Sequence, residues 1–462
     1  MSVLTLPNAP IYGSLTDCDA ETIRQRVRLA GVVGAGGAGF PTAVKLQARA
    51  DLFLVNAAEC EPMLKVDQQL MSRQAAPLIR GILYGMTATG AQQGIIALKA
   101  KYRGAIDALT PLLPPQIRLH ILPDIYPAGD EVITIWLATG RRVPPAALPI
   151  SIGVVVNNVQ TVLNVARAVE EQQPVTHRTL TVNGAVATPL TLTVPLGVSF
   201  REVLTLAGGA TIDKPGFING GPMMGHALSD LDLPVTKTSG GLLVLPADHL
   251  LLTRRLRSDR DILAIARTVC EQCRMCTELC PRHLVGHELS PHLLVRAVNY
   301  QQVATPDVLL SALTCSECGL CESYACPVDI SPMRINRLLK QQLQTQGARY
   351  QGELYPADPM ANYRMVPISR LITRLDLAQW YQDAPFVEMN YQPEHVVLPL
   401  RQHIGAPAEA MVAVGSTVRT GQPIAAIPDN ALGAPVHASI NGMVAEVSAS
   451  AIVITAHRAA RG

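Results

Sequence analysis

Two cysteine runs limit this chain more than anything else in it. The first is Cys270, Cys273, Cys276 and Cys280, followed by Pro281; the second is Cys315, Cys318, Cys321 and Cys326, followed by Pro327. Each run sets three thiols two residues apart and a fourth just ahead of a proline. Three thiolates at that spacing wrap one face of a [4Fe–4S] cluster, and the proline turns the chain away after the fourth. Zinc usually takes two separated C-x-x-C pairs, not a triple with a trailing Cys-Pro. Eight of the ten cysteines fall between positions 270 and 326. In a reducing compartment such clustering reads as metal binding before disulfides. The expectation is two [4Fe–4S] clusters.

The first run matches the bacterial ferredoxin pattern, in which the fourth cysteine reaches the other cluster. The second run has one more residue before its last cysteine. The segment from Pro281 to Thr314 is longer than a compact ferredoxin needs and contains the helix-like "PHLLVRAVN" and "PDVLLSAL". A helical two-cluster domain is therefore expected over 251–345. "SDRDILAIARTV" leads in, with Ser258 as N-cap, and "SPMRINRLLKQQL" leads out. Cys18 and Cys60 lack cluster spacing and read as buried free thiols, with proximity to a cofactor as the alternative for Cys60.

Clusters carry single electrons, and a two-electron donor such as NADH needs a flavin to split the pair. "GVVGAGGAGFPTAVKL" (31–46) is the place to look. Gly34, Gly36 and Gly39 fit G-x-G-x-x-G, and Glu59 follows Gly39 by twenty residues, near the offset of a ribose-binding acid. That fingerprint must follow a strand, however. The helix-like 19–31 leaves only Val32-Val33 for one, and Phe40-Pro41 delays the next helix, with Pro41 suited to its first position. The better reading is a non-Rossmann cradle, in which bare backbone N–H groups at a helix start hold phosphate. A Rossmann loop and a ligand-free turn are the alternatives.

The rest of the chain divides by pattern. Residues 1–172 alternate strands ("DLFLVNAAE", "GIIALKA", "IGVVVNN") with helices such as 19–31 and 76–90, which predicts a mostly parallel sheet. Residues 173–250 read as a β-grasp module, with a hairpin signal at Asn183-Gly184. Residues 346–395 are irregular and read as a linker. Residues 396–462 show short strands and a hairpin signal at Asn441-Gly442, with the spacing of a lipoyl-like barrel-sandwich carrier. No lysine follows Lys340, so a covalently carried lipoyl or biotin is excluded there and a structural or docking role is left. The fold class is multidomain α/β plus β.

Lys and Arg number 38 against 36 Asp and Glu, a net charge of +2. That balance gives no footprint for nucleic acid. No run of about 18 apolar residues marks a membrane span, and the start "MSVLTLPNAPIYG" lacks the regions of a secretory signal. A cytoplasmic setting follows as the expectation.

Four motifs then occur in order: "GAGGAGFPT" (34–42), "NAAECEP" (56–62), "YPAGDE" (126–131) and "NNVQT" (157–161). In this the chain resembles the flavin-binding subunit of respiratory complex I and, more fully, the C subunit of Rnf-type electron-transport complexes. Within that family it is most similar to the cobalamin reductases of propanediol-utilisation microcompartments, because the carrier-like module lies at the C-terminus and not at the N-terminus. The resemblance implies that Gly34, Gly36, Gly37 and Gly39 pack against FMN and the nicotinamide nucleotide, with Phe40 stacking nearby. It implies that Asn56 and Glu59 hold the isoalloxazine or ribityl chain, that Gly129 and Glu131 lie along the flavin, and that Asn157 and Asn158 hold the ribityl-phosphate end. Lys45 becomes a phosphate partner, and Glu61 and Glu131 contacts for NADH. Ala35 and Ala58 stand where the complex I subunit has an arginine and an acid.

The activity so implied passes electrons from NADH through FMN and two clusters to cobalamin, for adenosylation of the cob(I)alamin formed. The implied partners are an adenosyltransferase and microcompartment shell proteins, and the implied location is inside a microcompartment. No Asp-x-His-x-x-Gly signature is present, so cobalamin is expected as a transient substrate. His226, His283, His287 and His292 are candidate axial ligands, with ordinary structural histidines as the plainer reading. An Rnf-like membrane-complex subunit and an iron–sulfur adaptor for a partner's flavin are the alternatives.

Overall fold

The computed structural model describes residues 12–300 and 305–457. Most of the start, read above for its lack of a secretory signal, lies outside those residues.

The first module begins where the Asp19 side chain accepts from the Thr22 N–H and opens helix α1 (Ala20–Leu29). A glycine loop leads to the short helix α2 (Thr42–Lys45). Then come β1 (Leu52–Ala57), α3 (Val66–Arg73), α4 (Ala75–Thr89), β2 (Gln93–Lys99), α5 (Arg103–Leu109), β3 (Ile117–Leu122), β4 (Ile125–Tyr126), α6 (Glu131–Thr139), β5 (Val154–Asn158) and α7 (Val159–Glu170). Four of these strands make a parallel sheet in the order β3-β2-β1-β5. Side chains alternate across a strand. Phe53 and Val55 therefore join the core formed with α4 and α7, while Leu52 and Leu54 join Ile133 and Ile135 of α6. With both faces covered, β1 has no polar face to show, which is why it reads as an unbroken apolar run. The helices and strands expected over 19–31, 51–59, 76–90, 94–100 and 152–158 all form.

The second module holds β6 (His177–Gly184), β7 (Leu190–Pro195), α8 (Phe200–Leu206), β8 (Pro215–Asn219), β9 (His226–Leu228) and β10 (Gly241–Pro246), in the sheet order β7-β6-β10-β8-β9. The turn signal at Asn183-Gly184 fails here. Val182 pairs with Leu190, so both residues precede a longer connection. Asn183 is buried and donates to the carbonyls of Met63 and Gln382, both at 3.0 Å. Gly184 pairs with Val244 in the sheet. Contacts from distant chain took over a locally favoured turn.

Helices α9 (Leu250–Leu256), α10 (Asp259–Val269), α11 (Met275–Glu278), α12 (Pro281–Leu284), α13 (Pro291–Tyr300), α14 (Pro306–Leu310) and α15 (Pro332–Thr345) surround the cysteines. Ser258 caps α10 by accepting from the Asp261 N–H. Residues 346–395 form a packed strap. Val366 and Pro367 pair with Tyr126 and Ile125 of the first module, and the Val387 N–H donates to Thr191 O of the second at 2.8 Å.

The last module holds two small sheets whose buried side chains join one core. One orders His395–Pro399, Ala451–Ala456, Gly442–Val447 and Thr417–Val418; the other orders Glu409–Ala410, Pro423–Ala426 and Val436–His437. Val396, Leu398, Ile424, Val436, Val444 and Ile454 are buried within it. Asn441-Gly442 does not form a hairpin tip, because the strands on either side belong to different sheets. The tight turn of this module lies instead at 448–450, between paired strands. No helix among the described residues is long and apolar enough to cross a membrane.

Candidate functional site: a glycine cradle wired to two cysteine clusters

The carboxyl ends of β1, β2 and β5 open on one side of the sheet, where ligands bind in folds of this kind. The glycine loop closes over that opening. Val33 bridges to Pro41, and the Gly34 N–H donates to Phe40 O at 2.9 Å. Between them Gly36, Gly37 and Ala38 form an exposed lip. A Cβ on Gly36 would meet only the Asn158 side chain, no nearer than 3.8 Å, and one on Gly37 would meet nothing within 4 Å. Packing of the chain does not demand glycine at position 36, so bare backbone there suits an approaching ligand. Pro41 is the N-cap of α2 and Thr42 its first residue, one position later than expected.

Asn158 ends β5 and caps α7: Oδ1 accepts from the Gln160 N–H at 2.9 Å, and Nδ2 donates to Asp67 at 2.7 Å. Lys45 Nζ donates to Val156 O at 2.8 Å, and burial lowers its pKa against the charge of nearby Glu131. Asn56 Nδ2 donates to Gly129 O at 2.7 Å. A Cβ on Gly129 would lie 2.9 Å from Cys60 Sγ. Gly36 and Asn158, Lys45 with the charge of Glu131 near it, and the bonded pair Asn56 and Gly129 thus gather around the strand ends. Asn157 Nδ2 and Gln160 Oε1 are buried there without a partner, an arrangement that suits a polar ligand. Phe40 stays partly exposed on the loop.

The remaining predicted residues serve the frame. Gly39 (φ +73°) backs onto Thr238 and the Gln402–His403 backbone. Glu59 accepts from the N–H groups of Asp67 and Gln68 at the start of α3, at 2.8 and 3.3 Å. Glu61 accepts from the N–H groups of Met223 and Met224 in the second module, at 2.9 and 2.8 Å. Burial pushes the Glu59, Glu61 and Asp67 carboxyls upward, and the charge of Glu59 pushes Asp67 further. Cys60 is half-buried, not fully buried as expected, and desolvation with the charge of Glu61 pushes its thiol up to about 12 against the charge of Lys99.

The cysteines repeat a local geometry. In the first run Gln272 and Arg274 take left-handed backbone (φ +53° and +67°); in the second, Glu317 and Gly319 do so (φ +56° and +75°). Two and four residues after each leading cysteine, the chain is thus bent the same way. The odd residue of the second run is absorbed where the first run has the α-turn Met275–Glu278: Cys321–Ala325 forms a π-turn instead. A π-turn accommodates one added residue without shifting the chain beyond it. Cys270, Cys273 and Cys276 line one cavity with Cys326 of the other run. Cys280 lies beside Cys315 and Cys318, and Cys321 beside both of those. Burial pushes Cys276 and Cys280 up to about 12, with neighbouring thiols adding to the shift at each. Four thiols so held suit iron, which binds them as thiolates and relieves that cost. The Glu317 and Ile330 N–H groups point at Cys315 and Cys326 Sγ, at 3.4 and 3.3 Å.

Two links join cradle and cysteines through residues of the "YPAGDE" motif, though the motif does not announce the pairing. Tyr126 donates to Cys318 O at 2.6 Å. Asp130 caps α6 and pairs with Arg282 of α12 at 2.8 Å. An Asp just before a helix is a legible N-cap; its distant arginine has no sequence signal. Of the histidines, His287 bonds Val143 O at 2.9 Å and is pushed down to about 4 by burial. His292 Nδ1 bonds Thr277 Oγ1 at 2.7 Å.

Known families match the modules in turn. The Nuo51 FMN-binding domain matches residues 27–167, the SLBB domain 179–227, the 4Fe-4S dicluster domain 269–331 and the RnfC barrel sandwich hybrid domain 381–460. Cobalamin reductase PduS of Salmonella typhimurium is 71% identical over 94% of this chain and 96% of its own length. That of Citrobacter freundii is 69% identical over 94% and 97%. The C subunit of the Na(+)-translocating ferredoxin:NAD(+) oxidoreductase complex of Acetobacterium woodii is 36% identical over 60% and 62%. FMN and [4Fe–4S] chemistry accord with the cradle and thiols described above. By identity along nearly its whole length, the chain belongs to the family of cobalamin reductase PduS.

Proposed function

We propose that this chain takes electrons from NADH and delivers them singly to cobalamin by way of FMN and two [4Fe–4S] clusters. The observation that carries the reading is the pairing of the glycine cradle with eight cysteines whose nearest run touches the cradle's own module through Tyr126 and Cys318. Bound FMN supplies the conversion of a two-electron donor into single electrons, and the clusters supply the relay. Gly36 and Gly37 give backbone room to the nucleotide, and Lys45, Asn157 and Asn158 hold its polar end. Asn56 and Gly129 bound the inner wall. Glu59 and Glu61 keep the wall closed by fixing α3 and the Met223–Met224 turn.

Cys326 belongs with Cys270, Cys273 and Cys276, and Cys280 with Cys315, Cys318 and Cys321. The second set touches the flavin module through Tyr126 and would receive electrons before the first. The mixed sheet of the second module supports its reading as β-grasp, and the paired small sheets at the C-terminus a barrel sandwich. The kinship with cobalamin reductases supports a wider reading, in which cob(I)alamin is delivered to an adenosyltransferase within a microcompartment.

The test is anaerobic purification, extraction of flavin, and titration with NADH. Bleaching of both flavin and cluster absorbance, followed by reduction of aquacobalamin in preference to quinone, is the expected result. Bound FMN that NADH leaves unbleached would sink the reading.

A further inference from the structure

The C-terminal module has a carrier's shape and no lysine to carry anything. Its contacts suggest another use. The glycine loop is gripped from three sides. From its own module, Thr161 Oγ1 accepts the Ala35 N–H at 2.8 Å. From the second module, Arg178 donates to Ala35 O at 2.8 Å and to Ser239 O at 2.5 Å. From the C-terminal module, the Ile404 N–H donates to Ala38 O at 3.1 Å.

The grip is tight where it matters. Arg178, Ser239, Gln402 and His403 are all buried. A Cβ on Gly39 would come within 2.8 Å of Thr238 Cγ2, 3.2 Å of His403 Cα and 3.3 Å of Gln402 O. Gln402 Oε1 accepts the Lys237 N–H at 3.1 Å, which locks the two clamping segments to each other. Both carbonyls that are held, Ala35 and Ala38, bracket the exposed Gly36–Gly37 pair. A loop with glycines at 34, 36, 37 and 39 has large conformational freedom when unheld. Ordering it at the moment of binding would lower affinity, and ordering it beforehand removes that penalty.

We propose that Arg178 and the Gln402–Ile404 turn are positioning residues that preorganise the glycine loop, so that the C-terminal module is a working part of the flavin site. Arg178 anchors the leading side of the lip and Ile404 the trailing side. The inference rests on the reading of this loop as the FMN cradle.

The test uses the full-length protein with its clusters in place, comparing wild type, Arg178→Met, Arg178→Lys and Ile404→Pro. Two quantities are read: the FMN dissociation constant from fluorescence quenching, and hydrogen exchange of the peptide spanning 32–46 in flavin-free protein. Arg178→Met and Ile404→Pro should each weaken FMN binding about tenfold and speed exchange of that peptide, with cluster absorbance kept. Arg178→Lys, which retains a donor and the charge, should recover part of both losses. Unchanged exchange at 32–46 together with unchanged affinity in Arg178→Met and Ile404→Pro would overturn the clamp. If Ile404→Pro loses its clusters, the Arg178 pair decides by the same two readouts. Wild type that binds no FMN would count against the cradle reading instead, and the exchange data would still judge the clamp.

Discussion

Tyr126 lies fully buried with its hydroxyl 2.6 Å from the carbonyl oxygen of Cys318, donating across the boundary between the flavin module and the cluster helices. The bond fixes the second cysteine run against the end of β4, at the place where an electron would leave the cradle. Removing a buried donor leaves its acceptor unsatisfied, at a cost of about 1–3 kcal/mol. Tyr126→Phe is therefore expected to lower the thermal midpoint by several degrees and to slow cluster bleaching by NADH, with iron content unchanged. Stopped-flow absorbance and calorimetry on one sample test both halves. Wild-type bleaching in a protein of wild-type stability would remove Tyr126 from the relay.

The crossed cysteine sets make a prediction about order. Cys280→Ser should cost the cluster next to Tyr126 and leave the outer one bound but slow to accept electrons from NADH. Cys326→Ser should cost the outer cluster and leave the inner one readily reduced. Iron analysis with electron paramagnetic resonance distinguishes the two variants. Equal reducibility of the surviving cluster in both would contradict the order.

Two glycines separate ligand from packing. A Cβ on Gly85 would strike the Phe53 ring at 2.3 Å, whereas one on Gly36 meets nothing nearer than 3.8 Å. Gly85→Ala should destabilise the fold by roughly 1–3 kcal/mol through overpacking. Gly36→Ala should leave unfolding within about 0.5 kcal/mol of wild type and weaken FMN binding at least tenfold. Denaturant curves on flavin-free protein, beside flavin titrations, provide the check; full FMN affinity in Gly36→Ala would refute a bare-backbone role.

The junction of three modules should respond to pH. Lys237 is buried, donating to the carbonyls of Gly31 and Pro435 at 2.8 and 2.9 Å, and burial pushes it down to about 7. His437 beside it is pushed down to about 3, by burial first and the charge of Lys237 second. Both groups hold protons less tightly folded than unfolded. Stability therefore rises with pH from about 3 to the ordinary histidine value near 6.5, and again from about 7 toward the ordinary lysine value near 10.4. Lys237→Met should flatten the upper rise, which thermal unfolding from pH 7 to 10 would show. An unaltered slope in the variant would exclude Lys237 as its source.

Much of this protein was legible in its residues alone. The cysteine spacing, the buried strand runs, the helix over 19–31 and the helix cap at Ser258 are local signals, and all of them formed. Three of the four ordered motifs stand at strand ends, which local pattern fixes, and the fourth is a glycine loop marked by its own residues. The Asn-Gly pairs misled for the opposite reason. A turn preference is worth little beside burial, and at Asn183 two carbonyls from distant segments claimed the side chain. Glu59 and Glu61 carry a role no motif announced: each carboxylate also holds backbone N–H groups of another segment. What only the tertiary structure decided is what distant segments do to one another. It set Tyr126 on Cys318, paired Asp130 with Arg282, and brought Arg178 and Ile404 to opposite sides of one glycine loop. Such contacts depend on how modules pack, and no spacing along the chain encodes them.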